Sequence, residues 1–264
     1  MAVDPAPMDA AAAVFDFRMS VVVLAGTPEF RSCAVVAALA GVVRGFSGFG
    51  AALVLTPLLS LVLGTRDAVA TTILLTGLTA LQQVPAAWPE GDWRRVSLLA
   101  AAAIVAMPLG TWALLALDAE TMRRAVAVVV IGFTCLLASG WRYRGPTPLP
   151  ATLAVGAASG VLTGAAGIGG PPVVVWLLAG QTDARRARAN FILFFGATLG
   201  VAPIALLSAG LVDWTTAGRA LCLAPVFMAG TWVGGRLSGR ASDRAFRWAA
   251  LAILFAGGIA ALAA

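Results

Sequence analysis

The chain has 264 residues, 60% of them hydrophobic and 11% charged, with a formal net charge of +6. A soluble domain carries about 25% charged residues, so this chain cannot cover itself with a charged surface, and a lipid bilayer is its expected solvent. All 18 basic residues are arginine and histidine is absent, which removes the usual near-neutral proton carrier and imidazole metal ligand. The arginines sit in short segments between apolar runs, as in a membrane protein obeying the positive-inside rule, and this argues against a nucleic-acid partner.

Residues 1–32 read as an N-terminal segment. Asp4, Asp9 and Asp16 precede any base, the reverse of a secretory signal, and the apolar stretch Met19 to Gly26 is too short to span a bilayer. The first long apolar run covers about 33–63 and is interrupted by Gly45-Phe46-Ser47-Gly48-Phe49-Gly50. Runs at about 68–87, 95–117 and 123–141 follow. A Pro- and Arg-bearing linker, 142–150, leads to a run at 151–180 that is interrupted at 164–172, and then to runs at 188–210, 215–237 and 244–263. Such runs must be helices: lipid cannot satisfy free backbone groups, and barrel strands would alternate apolar with polar. Cys33, Cys135 and Cys222 lie singly in apolar stretches, without metal-type spacing, and read as packing residues.

The second half repeats the first. Fifteen of the 39 residues from Gly41 to Thr79 recur without a gap from Gly160 to Thr198, a spacing of 119. Asp92-Trp93 returns as Asp213-Trp214, and Gly110-Thr111-Trp112 as Gly230-Thr231-Trp232. Asp before Trp at the head of a run reads as a helix N-cap beside an interfacial aromatic. The expected fold is an all-α integral-membrane bundle of two homologous repeats, 33–141 and 151–264, forming one membrane domain. Each repeat would open with a glycine-broken helical hairpin. A hairpin makes the number of crossings per repeat odd and inverts one half against the other. That arrangement gathers eleven arginines on one side against six on the other, omitting Arg44, and leaves both termini external.

Paired Gly- and Pro-interrupted segments in two halves point to a transporter binding site. Glycine tolerates the backbone a break requires, and Pro171 and Pro172 remove donors and start a helix well. A helix beginning at mid-membrane presents free N–H groups and a positive dipole end, which suits an anion. The candidate substrate-binding residues are Arg44, Gly45, Ser47, Gly48, Gly50, Gly164, Gly167, Gly169 and Gly170, joined by the spacing mates Thr71 and Asn190. Arg44, deep in an apolar run, should face a cavity or a partner; its counterpart Thr163 is neutral. No carboxylate falls at mid-membrane, no catalytic or metal-ligating set emerges, and no cofactor is called for.

The run Arg44 to Leu59, RGFSGFGAALVLTPLL, echoed by Gly160 to Pro172, GVLTGAAGIGGPP, resembles the sulfite exporter TauE/SafE family. The resemblance covers both halves from about residue 33. It implies a multi-pass permease of the bacterial inner membrane for small inorganic or organosulfur anions, and it carries the family's glycines onto Gly45, Gly48, Gly50, Gly164, Gly167, Gly169 and Gly170. Ala51-Ala52 depart from the further glycines of many relatives. The expected function is passage of sulfite, a sulfonate or a similar oxyanion, by export and alternating access. A non-transporting membrane subunit and an integral-membrane enzyme on lipid phosphates are the alternatives, and oligomerisation is left open.

Overall fold

The computed structural model describes residues 27–47, 49–140, 143, 145, 147–178, 184–237 and 243–263, with backbone alone at 47, 184, 185 and 243–250. Among them are ten α-helices and no strand. In chain order these are α1 (Pro28–Ser47), α2 (Ala51–Leu63), α3 (Thr65–Ala87), α4 (Trp93–Ala116), α5 (Ala119–Ser139), α6 (Leu149–Ala166), α7 (Gly170–Leu178), α8 (Ala184–Ser208), α9 (Trp214–Leu237) and α10 (Asp243–Ala263), with a 3-10 turn at Trp88–Glu90 after α3. Residues 1–26, Gly48 and, in the linker, residues 142, 144 and 146 lie outside the described residues.

Among the described residues, six helical stretches are long and apolar enough to cross a membrane: Thr65–Glu90, Trp93–Ala116, Ala119–Ser139, Leu149–Ala166, Arg186–Ser208 and Trp214–Leu237. At 1.5 Å per residue, 18 to 26 residues reach about 27–39 Å, enough for a hydrocarbon core of about 30 Å. The chain is therefore an all-helical, multi-pass membrane protein.

Both glycine clusters break their helix. α1 stops at Ser47 and α2 starts at Ala51 behind Gly50, whose φ of 86° favours a residue without Cβ. α6 stops at Ala166, and Gly167, at φ 70°, closes it as an αL cap: Gly167 N–H donates to Thr163 O (2.8 Å), and Ile168 N–H reaches Leu162 O (3.2 Å). α1 has 20 residues and α6 has 18, whereas α2 has 13 and α7 has 9. α1 starts at Pro28, five residues before the apolar run, where Thr27 caps it, its Oγ1 accepting from Phe30 N–H at 3.2 Å.

Helix pairing is dominated by α4 on α6, α9 on α1 and α3 on α8, with α5 on α10. In lipid no hydrophobic force separates helix from solvent, so close backbone approach has to hold such pairs. On α6, Gly156, Gly160 and Gly164 face the carbonyls of Leu99, Ala103 and Met107, successive turns of α4, and Gly110 of α4 faces Val161 O in return. On α1, Gly41 and Gly45 face Phe227 O and Thr231 O of α9, while Gly230 and Gly234 face Ala38 O and Val42 O. Each seam thus joins an early helix of one half to a late helix of the other. Further ties cross between halves: Thr56 Oγ1 donates to Ala166 O at 2.8 Å, Asp92 N–H to Asn190 Oδ1 at 2.7 Å, and the Arg219 guanidinium reaches Asp67 at 3.4 Å.

Asp92 and Asp213 do cap their helices, accepting from Arg95 N–H (3.3 Å) and Thr216 N–H (2.7 Å). Asp118 caps α5 in the same way through Glu120 and Thr121 N–H.

Candidate functional site

A partly open recess lies where the two breaks meet. Its walls come from the end of α1 (Arg44), the first break and α2 (Phe49 to Leu53), α3 (Thr76), the end of α6 (Thr163), the second break and α7 (Gly167 to Pro171), and α8 (Phe195, Leu199). Twelve of these lining residues form six pairs at the 119 spacing: Arg44 with Thr163, Phe49 with Ile168, Gly50 with Gly169, Ala51 with Gly170, Ala52 with Pro171, and Thr76 with Phe195. Equivalent positions of the two halves face one another across a single space.

Arg44 is the one ionisable residue of this lining. It is 7% exposed, and its Nε has no hydrogen-bond partner. Among the described residues no carboxylate forms an ion pair with it. A buried guanidinium left this way is costly unless another charge joins it.

The lining hydroxyls are already engaged as donors. Thr76 Oγ1 donates to Thr72 O at 2.6 Å and Thr163 Oγ1 to Ser159 O at 2.8 Å. Ser159 in turn donates to Gly169 O, fixing the second break. The donors left for a ligand are the Arg44 guanidinium and the amides at the two helix starts. α2 offers Ala51 and Ala52 N–H in its first turn, where no carbonyl of its own helix can meet them, while Leu53 N–H turns back to Gly50 O (3.1 Å). α7 offers Gly170 N–H, because Pro171 and Pro172 carry none.

Of the residues singled out from sequence, Arg44, Gly50, Gly167, Gly169 and Gly170 line the recess together. Gly45 and Gly164 do not. They sit in the helix seams, where a methyl group would strike Thr231 O and Met107 O. Thr71 and Asn190 are fully buried outside the lining, and Asn190 spends its carbonyl oxygen on Asp92 N–H. Gly48 and the Ser47 side chain lie outside the described residues. The sequence reading did not count Phe49, Thr76, Thr163 or Phe195 as site residues. The 119 spacing was the signal for Thr163, as the mate of Arg44; nothing local marks either phenylalanine.

The chain matches the family model for Sulfite exporter TauE/SafE over residues 33–261. It belongs to that family. No curated protein and no solved structure matches it. This TauE/SafE chain is thus a membrane transporter by family, and its interrupted helices line a recess holding one buried arginine that no described carboxylate pairs.

Proposed function

We propose that this TauE/SafE protein is a permease of the bacterial inner membrane that exports a small sulfur-containing anion, such as sulfite or a sulfonate, by alternating access between two inverted repeats. The observation that carries the reading is Arg44, buried and unpaired in a recess walled by both breaks. The anion would accept from the guanidinium and from the amides of Ala51, Ala52 and Gly170, all in a low-dielectric setting where such bonds are strong. The substrate would neutralise the protein's charge, so transport rather than chemistry is the role. Seams that tie each half to the other, and a lining shared pair by pair, support a rocking motion about the recess. Export of an anion from a negative-inside cell gains about 2.3 kcal/mol per charge per 100 mV and needs no buried acid.

The test is flux of labelled sulfite and of small sulfonates in proteoliposomes. Wild type should move at least one of them, and Arg44→Ala should lose that flux while inserting normally into membranes. Unchanged flux in the variant would remove Arg44 as a ligand. Absence of flux for the whole panel would favour a non-transporting role.

A further inference from the structure

The recess offers one charge and a mostly apolar wall. Phe49, Leu53, Ile168, Pro171, Phe195 and Leu199 present hydrocarbon to it, and among the described residues its lining holds no carboxylate. The Thr76 and Thr163 hydroxyls spend their protons on Thr72 O and Ser159 O, so neither donates to an anion. Each break sets the negative end of one helix beside the positive end of the next, Ser47 before Ala51 and Ala166 before Gly170, so the helix dipoles largely offset there. What remains is the single positive charge of Arg44, buried and with its Nε unpartnered. A ligand with one negative charge balances it. A second negative charge would be left without a counter-charge in a low-dielectric space, and an ammonium group would find no carboxylate.

The wall beside the donors suits a hydrocarbon. Phe195 is half-buried, and its Cζ lies 3.2 Å from the position a Cβ on Gly170 would take, so the ring stands next to the amide that α7 offers. Phe194, fully buried, meets that ring edge-on with centroids 5.5 Å apart and fixes its orientation. Phe49 is braced in a similar way by Phe191, at 6.3 Å. The mate of Phe195 at the 119 spacing is Thr76, so the second half brings an aromatic face where the first brings a hydroxyl tied to its own helix. An anionic head held by Arg44 and Gly170 N–H would carry its tail against Phe195.

We propose that the recess selects monoanions bearing an uncharged apolar group, short alkanesulfonates above all, over dianions and zwitterions, and that Phe195 sets the preference for the tail. This selectivity rests on the anion-permease reading and narrows it: an inorganic oxyanion has no tail to bury and is the weaker ligand.

The experiment is calorimetric titration of the purified full-length protein in detergent. The probes are the sodium salts of methane-, ethane-, propane- and butane-1-sulfonate, ethane-1,2-disulfonate, 2-aminoethanesulfonate and sulfite. Each sulfonate group keeps one charge across the neutral range, so charge and tail vary separately. Affinity should rise about fourfold per methylene, as burial of a CH2 predicts. The disulfonate and the amine should bind at least tenfold more weakly than ethanesulfonate. Phe195→Thr should flatten the dependence on chain length while leaving methanesulfonate binding within twofold, whereas Phe195→Leu should keep most of it. Arg44→Ala should lose binding of every probe. A flat series in wild type, or a disulfonate that binds as well as ethanesulfonate, would overturn the selectivity, and sulfite binding in the same titrations would leave the permease reading standing. An unchanged chain-length dependence in Phe195→Thr would overturn the role of Phe195. No binding of any probe, sulfite included, would overturn both readings.

Discussion

The two breaks occupy equivalent positions at the 119 spacing, yet they are built by different means. The first puts a charge beside its recess: Arg44 closes α1, Gly50 turns the chain, and α2 begins with two alanines whose amides are free of their own helix. The second puts hydroxyls and imino acids there. Thr163 stands where Arg44 stands, Ser159 clamps Gly169 O, and Pro171-Pro172 leave the start of α7 one donor from its first three residues. Packing differs as well. A methyl on Gly50 would meet nothing nearer than Val43 Cγ1 at 3.7 Å, whereas its mate Gly169 has Ser159 O at 2.7 Å and the Thr163 hydroxyl closer still. One half supplies charge with room to move, and the other supplies a rigid wall. On the proposed reading the two breaks need not share their chemistry, because each would meet only one side of the anion.

Exchanging the halves' contributions is the strongest way to break this comparison. Arg44→Ala should lower anion flux by about a hundredfold, the order expected when a charged hydrogen-bond partner is lost from a buried site, while Thr163→Ala should change it only severalfold. Equal losses in a proteoliposome flux assay would mean that both halves bind the anion alike.

The glycines sharpen the contrast in rigidity. Gly167→Ala forces a positive φ on a residue with Cβ and presses on Thr72 and Ile73 at 3.3 and 3.4 Å, so about 2–3 kcal/mol of destabilisation is expected. Gly50→Ala meets the same backbone penalty with open space around it and should cost about 1 kcal/mol. Thermal denaturation of the two variants in detergent would rank them, and the reverse order would contradict the assignment of the rigid wall to the second break.

The smallest effect concerns the matched helix caps. Asp213→Ala should destabilise by about 1 kcal/mol through loss of the bond from Thr216 N–H. Burial works against the Asp213 carboxylate, but the backbone and side-chain bonds from Thr216 outweigh it and hold its pKa below the ordinary carboxylate value. A lowered folded pKa gives stability that is complete above the unfolded value and is lost as the pH falls through the folded one. The wild-type advantage over Asp213→Ala should therefore be full at neutral pH and fade on acidification, which melting curves across an acid series would measure.

Much of this protein was legible from sequence for a physical reason. Crossing a bilayer needs about 20 apolar residues in a helix, and glycine and proline interrupt such a helix wherever they stand, so the solvent, the helical class, the two breaks and the Asp caps are all local properties. Which glycines serve which purpose is not local. Gly45 and Gly164 look like Gly50 and Gly169 in sequence, but the first pair is consumed by the carbonyls of α9 and α4 and the second opens onto the recess. Asn190, a candidate ligand by its spacing, gives its carbonyl oxygen to Asp92 N–H, 98 residues away. The lengths of α1 and α6, the burial of Arg44 and the sharing of one recess by Phe49 and Phe195 were decided when distant segments packed, because burial and pairing depend on neighbours that no stretch of sequence contains.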